Sequence, residues 1–315
     1  MPHVTFIHGI ANKPAPDVLI RLWRDSLARD EGIDLGAEGV TSDMVYWADV
    51  LYGEPKREMA EHESNDSIVE ARDEEPDMTW RDELESDELL WVDGLASKMN
   101  FDAPPPGGDE TFTPEAFGDS ELEANFERIP LPWWLKRRLM KMLLRDVHHY
   151  LFNVEYQAHP DRPAVRVQDE IRQRMISALA QGAAKPGPHV VISHSMGTVI
   201  AYDCLKRVPD CPRVDALMTI GSPLGLDEVQ DKLQPGWSRE DGFPSTTLKD
   251  SWVNVFDRLD VVAAFDPEIA NDYRKRGDKV IDDLNEQNWG TWRHNISNYL
   301  AGAELRGKLQ QMLEL

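Results

Sequence analysis

The stretch HVVISHSMGTVIAYD, residues 189–203, constrains this chain more than any other. Four apolar or β-favouring residues, His189 to Ile192, lead into Ser193-His194-Ser195-Met196-Gly197, and a helix-forming run, Thr198 to Leu205, follows at once. Strand, abrupt turn and helix form the context in which a G-x-S-x-G-like pentapeptide lifts a serine out of the end of a sheet. So sharp a turn strains the backbone at its apex, and the residues two positions away must be small. Ser193 and Gly197 meet that demand, with Ser193 standing where the first glycine is usual.

A serine hydroxyl is a weak nucleophile at neutral pH. It needs a base to take its proton, and the base needs an acid to hold its tautomer and stabilise the imidazolium. On a strand–turn–helix elbow the partners follow in the order serine, acid, histidine. Of the nine histidines (His3, His8, His62, His148, His149, His159, His189, His194 and His294), only His294 lies beyond the elbow and a strand-end acid. It precedes Asn295-Ile296-Ser297-Asn298-Tyr299-Leu300, a loop running into a terminal helix.

The acid is sought in WVNVFDRLDVVA, where Asp257 ends the strand and Asp260 lies three residues into the loop. A carboxylate that reaches sideways under the histidine favours Asp260, with Asp257 as the alternative and a turn or cap as the role of whichever is not used. The oxyanion donors are expected to be the amide of Met196, after the nucleophile, and that of Ile10 in the His8-Gly9-Ile10 loop of the first strand. His8 is expected to order that loop by hydrogen bonding.

The elements around the elbow alternate. Strands are expected at His3–Ile7, Met44–Val50, His189–Ile192, Val214–Ile220, Trp252–Phe256 and Lys279–Leu284, and helices over Pro14–Arg29 and Val165–Gln181. That alternation implies a mostly parallel, doubly wound α/β sheet with helices on both faces. Between Gly53 and about Phe126 it fails. Residues 53–127 hold 24 acidic side chains against 5 basic ones, and Pro104-Pro105-Pro106-Gly107-Gly108 interrupts them. Short helices are expected near Glu58–Glu63 and Trp80–Met99, joined by loops.

Residues 128–145 then carry six basic residues and no acidic one. Pro132–Phe152 reads as an amphipathic helix, with Leu135, Leu139, Leu143, Val147 and Tyr150 on one face and Arg137, Lys141 and Arg145 on another. Trp133, Trp134, Met140 and Met142 lie beside the basic stripe, so the helix is expected to wall the site with apolar side chains. The stripe either meets an anionic membrane surface or, as the neighbouring carboxylates favour, faces the acidic segment.

In this order, HVTFIHGI, SHSMGTVIAYD, TIGSPLG, VNVFDRLDVV and HNISNYL resemble the α/β-hydrolase superfamily. Within it they look like the lipase-like branch typified by GPI-inositol deacylase-like and lecithin–cholesterol acyltransferase-like proteins. The resemblance covers residues 1–50 and 156–315. It implies a triad of Ser195, Asp260 and His294 and an oxyanion hole at Ile10 and Met196. The break in alternation gives a core of residues 1–52 and 156–315 interrupted by an inserted, largely helical cap at 53–155, which matches no known family segment. The expected activity is hydrolysis of a small-molecule or lipid carboxylic ester with an apolar acyl part. A thioesterase or acyltransferase would use the same acyl-enzyme, and a non-catalytic module built on the acidic insertion is the reading from another class.

The remaining signals bound the class. A formal charge of −23 opposes nucleic-acid binding. No G-x-x-x-x-G-K-[ST] or G-x-G-x-x-G occurs, and neither Cys204 and Cys211 nor His148-His149 has metal-ligand spacing, so no cofactor or metal is expected. Free cysteines, with no secretory signal and no apolar run near about eighteen residues, give an expectation of a cytoplasmic protein.

Overall fold

The computed structural model describes residues 1–55, 77–98, 133–263, 266–290 and 292–315, without the side chains of 133–137, 139 and 250. The expected helix at Glu58–Glu63, the proline-rich break at 104–108 and the side chains of Trp133, Trp134, Leu135, Arg137 and Leu139 lie outside the described residues.

Six strands form one sheet: β1 (His3–Ile7), β2 (Thr41–Val45), β5 (His189–His194), β6 (Val214–Ile220), β7 (Leu248–Phe256) and β8 (Asp282–Asn285). Their spatial order is β2-β1-β5-β6-β7-β8, and every neighbouring pair is parallel. A separate two-stranded antiparallel ribbon joins β3 (Glu155–Tyr156) to β4 (Val165–Arg166). The fold is α/β, with a parallel central sheet flanked by helices.

Strands buried on both faces read as continuous apolar runs, and alternate residues serve opposite sides. Val190 and Ile192 of β5 join one apolar cluster with Leu19, Trp23 and Leu27 of α1 (Pro16–Ala28), Ile296, Tyr299 and Leu300 of α8 (Ile296–Ala301), and Leu305, Leu309 and Leu313 of α9 (Ala303–Leu313). Val191, between them, joins the other cluster, with Val167, Ile171, Met175 and Leu179 of α5 (Val167–Ala183) and the apolar face of α6 (Met196–Arg207). The i, i+4 spacing in α1, α5 and α9 is what lets each helix lay one stripe on the sheet.

Strand order reverses between β1 and β5. In an open α/β sheet that reversal leaves a crevice beyond the carboxyl ends of the two strands, and ligands bind there.

The second strand departs from expectation. It occupies Thr41–Val45, and Ala48–Leu51 is a helical turn, α2, where a strand to Val50 was expected. The cause is Trp47: its backbone N–H donates to His8 Nε2 (3.0 Å) and its indole to the His8 carbonyl (2.9 Å), pulling the chain off the sheet. Smaller shifts occur elsewhere. Val165–Arg166 pairs in the ribbon, so α5 starts at Val167, and β8 runs to Asn285.

Between α2 and β3, α3 (Ser86–Lys98) is tied to α7 (Asp227–Leu233) through Trp91 Nε1 to the Glu228 carbonyl (2.8 Å) and Lys98 to Asp227 (3.0 Å). The helix α4 (Trp133–Leu151) buries Met140, Leu143, Leu144, Val147 and Tyr150 in the same cluster as Ile10, Met196, Leu224 and Trp292. The basic stripe does not form a solvent face over its described length. Lys141 is buried, and Arg145 pairs with Asp146 at 2.9 Å while lying 4.6 Å over the Tyr52 ring. Helical periodicity placed these residues on one face, and tertiary packing turned that face inward.

One buried carboxylate joins three helices. Asp203 of α6 accepts from Tyr150 of α4 (2.7 Å), from Arg172 of α5 (2.7 and 2.8 Å) and from Arg207 (3.0 Å). Removing one partner of a buried ion pair strands the others without hydration. Asp203→Ala is therefore expected to lower the unfolding free energy by about 3 kcal/mol, and urea denaturation followed by tryptophan fluorescence measures it.

Candidate active site

Ser195 sits between β5 and α6 with φ 54° and ψ −130°, outside the regions a non-glycine residue normally occupies. Such a backbone costs about 1–3 kcal/mol and persists only where its surroundings over-determine it. They do so here. The Ser195 N–H donates to the Ile220 carbonyl (2.9 Å), and its carbonyl accepts from the Thr198 hydroxyl (2.6 Å) and the Thr198 N–H (2.9 Å). Thr198 Oγ1 also meets Ser222 Oγ at 2.7 Å, which bolts the start of α6 to the end of β6. Ser193 is buried and donates its hydroxyl to the Met218 carbonyl (3.0 Å), so the residue in place of the usual glycine is both small and satisfied.

His294 lies beside this turn. Its carbonyl is 3.1 Å from His194 Nε2, and its ring faces the His194 ring at 4.4 Å. Gly221, which follows the Ile220 carbonyl bonded to Ser195, shows how closely the parts converge. A Cβ there would stand 2.7 Å from Asp260 Oδ2 and 3.0 Å from His294 Nδ1, and its φ of +56° also favours glycine.

The acid on His294 is Asp260. Nδ1 lies 2.8 and 2.9 Å from its two oxygens. A carboxylate accepts, so Nδ1 carries the proton and Nε2 keeps its lone pair. Burial pushes the Asp260 carboxyl up, but His294, the Val262 N–H (2.8 Å) and the Tyr299 hydroxyl (2.8 Å) outweigh it and hold the group below its ordinary value. Asp257 points elsewhere. It accepts from the N–H groups of Leu259 and Asn288 (both 2.7 Å) and faces Arg293, which makes it a loop anchor. Burial raises its carboxyl against those bonds.

Ser195 Oγ and His294 Nε2 are both buried, and neither has a hydrogen-bond partner among the described residues. Catalytic hydrogen bonds often tighten only when substrate is bound.

The first-strand loop closes the other side. A Cβ on Gly9 would lie 2.4 Å from Ser195 Cβ, so only glycine lets the loop approach the serine this closely. His8 Nε2 accepts from the Trp47 N–H, so its Nδ1 is protonated and donates to the Gly9 carbonyl (2.9 Å). The Gly9–Ile10 peptide is planar, and holding its carbonyl aims the Ile10 N–H the opposite way. Met196 is the first residue of α6, where an N–H has no intrahelical acceptor. No hydrogen bond from the Ile10 or Met196 amide is found among the described residues.

Sequence reasoning overlooked Tyr299. Its hydroxyl donates to Asp260 and accepts from the Asp257 N–H (2.8 Å), bridging the two aspartates. Burial and the neighbouring carboxylates raise its own ionisation well above the usual phenol value, so it remains a donor. The i+5 offset from His294 along HNISNYL was the only trace in the sequence.

Other titratable groups lie apart from this chemistry. His148 and His149 pack among Trp80, Trp91, Phe152 and Tyr156, and burial lowers their pKa values to about 3 and about 4. Cys204 and Cys211 are free and buried, their thiols pushed up, the second to about 12. Among the described residues there is no group of three or more metal-binding side chains, and no helix is long and apolar enough to cross a membrane. The sequence matches no protein-family model, and no curated protein aligns with it significantly.

Because the folded Asp260 carboxyl titrates below its unfolded value, its contribution to stability is present above the unfolded pKa and is lost as pH falls through the folded one. Tyr299→Phe removes one donor to that carboxylate and leaves the Asp257 N–H without an acceptor. The Asp260 titration, followed by ¹³C NMR of labelled aspartate, is expected to move up toward the ordinary range. The Asp260 contribution, still lost from the unfolded pKa downward, is then smaller and is exhausted at a higher pH than in the parent chain, and the substitution costs about 1–2 kcal/mol near neutrality.

Proposed function

We propose that this chain is a cofactor-independent serine hydrolase of the α/β-hydrolase type, acting on carboxylic esters with an apolar acyl part. The observation that carries the proposal is the strained Ser195 at the switch point with the His294–Asp260 pair beside it. Residue order, tautomer and burial agree with one chemistry. His294 Nε2 takes the hydroxyl proton as Ser195 Oγ attacks the ester carbonyl, and Asp260 stabilises the imidazolium. The Ile10 and Met196 amides face the oxygen on which charge develops, where fixed donors in a dry site are worth most. Collapse expels the alcohol, protonated by His294, and water activated by the same nitrogen releases the acid.

The apolar preference rests on the wall. Met140, Leu143 and Leu144 of α4 share a buried cluster with Met196, Leu224 and Trp292, so a small-molecule or lipid ester would bring its hydrocarbon part against apolar side chains. Membrane contact through α4 is not part of the proposal, because Lys141 and Arg145 point inward.

Ser195→Ala is expected to abolish labelling by a fluorophosphonate probe, and full labelling of that variant would sink the assignment. Asp260→Asn, which disturbs the imidazole tautomer, is expected to lower kcat for p-nitrophenyl butyrate by about 10⁴-fold, whereas Asp257→Asn retains most activity. Equal losses in the two variants would argue for a shared structural role.

A further inference from the structure

We infer that Asp146, carried by the inserted segment, is the positioning residue of the oxyanion loop. The inference rests on the serine-hydrolase reading above. Ala11 follows Ile10 and adopts φ +69°, a left-handed conformation unusual for alanine. Its N–H donates to Asp146 Oδ2 at 2.9 Å across 135 residues of sequence. That carboxylate is fully buried. It also accepts the Tyr52 hydroxyl (2.8 Å to Oδ2, 3.1 Å to Oδ1) and, on Oδ1, the Arg145 Nε and Nη2 (3.1 and 2.9 Å).

The consequence follows from peptide planarity. Two peptide planes meet at the Ile10 Cα. The first, which bears the Ile10 N–H, is held through the Gly9 carbonyl by His8. The second is held through the Ala11 N–H by Asp146. With both planes anchored, the Ile10 amide has no free rotation. Without Asp146 only one anchor remains, and the left-handed Ala11 would relax, because non-glycine residues occupy that region at a cost. A donor misplaced by about 1 Å costs about 100-fold in rate.

The charge pattern fits the same role. A bare carboxylate one residue beyond an oxyanion donor would oppose the negative charge of the tetrahedral intermediate. Arg145 is chelated to Asp146 and stacked on Tyr52, so the latch is neutral overall while its oxygen still accepts the Ala11 N–H. The insertion thereby acts on catalysis through the backbone of the core, independently of any substrate it lines.

The test uses the full chain with Asp146→Ala, Asp146→Asn and Tyr52→Phe, with active sites titrated by fluorophosphonate. Kinetics on p-nitrophenyl acetate and the inhibition constant of an aryl trifluoromethyl ketone, whose Ser195 adduct carries an oxyanion, are measured for each. Asp146→Ala is expected to lower kcat by about 10- to 100-fold with KM little changed, and to weaken the ketone by a similar factor. Asp146→Asn keeps an oxygen for the Ala11 N–H and is expected to recover most of both losses. A purely structural role would lower Tm and leave kcat per titrated site and ketone affinity at parent values, and that result overturns the inference. Asn as impaired as Ala overturns it as well. If Asp146→Ala does not fold, Tyr52→Phe decides: a smaller parallel loss in kcat and ketone affinity supports the latch, and parent values refute it. A parent chain that fluorophosphonate does not label removes the hydrolase reading and the latch together, whereas a labelled parent with unaffected variants removes the latch alone.

Discussion

The backbone at Ser195 is held where an L-residue does not rest by choice, and the rest of the site is arranged around that constraint. A strand that passed smoothly into α6 would leave the serine side chain in the sheet and its neighbour's amide inside the helix. The turn at φ 54° lifts the hydroxyl out and leaves the Met196 N–H at the helix terminus. Holding it there takes β6 as well as β5, through the Ile220 carbonyl and the Thr198–Ser222 pair. The site is therefore a property of three adjacent elements, and strain at its centre is compensated by hydrogen bonds at its edges.

Parallel topology brings the other parts to the same end of the sheet. β1 ends at the His8-Gly9-Ile10 loop, β6 at Gly221 and β7 at the turn holding Asp257 and Asp260. The reversal between β1 and β5 opens the crevice into which Gly9 and Ser195 face each other. Polar satisfaction then sorts the groups. The Asp260, Tyr299 and His8 side chains are saturated and fixed, while Ser195 Oγ and His294 Nε2 are left with capacity to spare. In a buried cluster an unpaired polar atom is expensive, and these two belong to the proposed nucleophile and base.

Ser195, His294, Asp260 and the Ile10 loop were legible because each rests on local pattern or chain order: small residues around a turn, one histidine downstream, an acid past a strand. The sheet was legible for the same reason, since HVTFI, HVVIS and VDALMTI are buried on both faces. What escaped was non-local. β2 ends early because Trp47 bonds to His8, and nothing in MVYWADV encodes that partner. Periodicity aligned Lys141 with Arg145, but a helical wheel does not say what a face meets, and here it meets Asp146 and Tyr52. Tyr299 and Asp146 are tied to the candidate site only through partners 39 and 135 residues away.

Two fully buried aspartates flank the candidate reacting centre, and their surroundings differ in the way the proposed reaction requires. Asp260 is bonded to an imidazole, a phenol and backbone N–H groups, with no arginine or lysine bonded to it among the described residues. Its negative charge is thus available to the imidazolium that forms when His294 accepts a proton. Asp146 stands on the oxyanion side and is clamped by Arg145, which cancels a charge that would otherwise oppose the intermediate. At the short distances and low effective dielectric of such a site, exchanging these environments would penalise both charges of the transition state. An anion left bare beside the base and neutralised beside the oxyanion is the electrostatic asymmetry that acyl transfer demands.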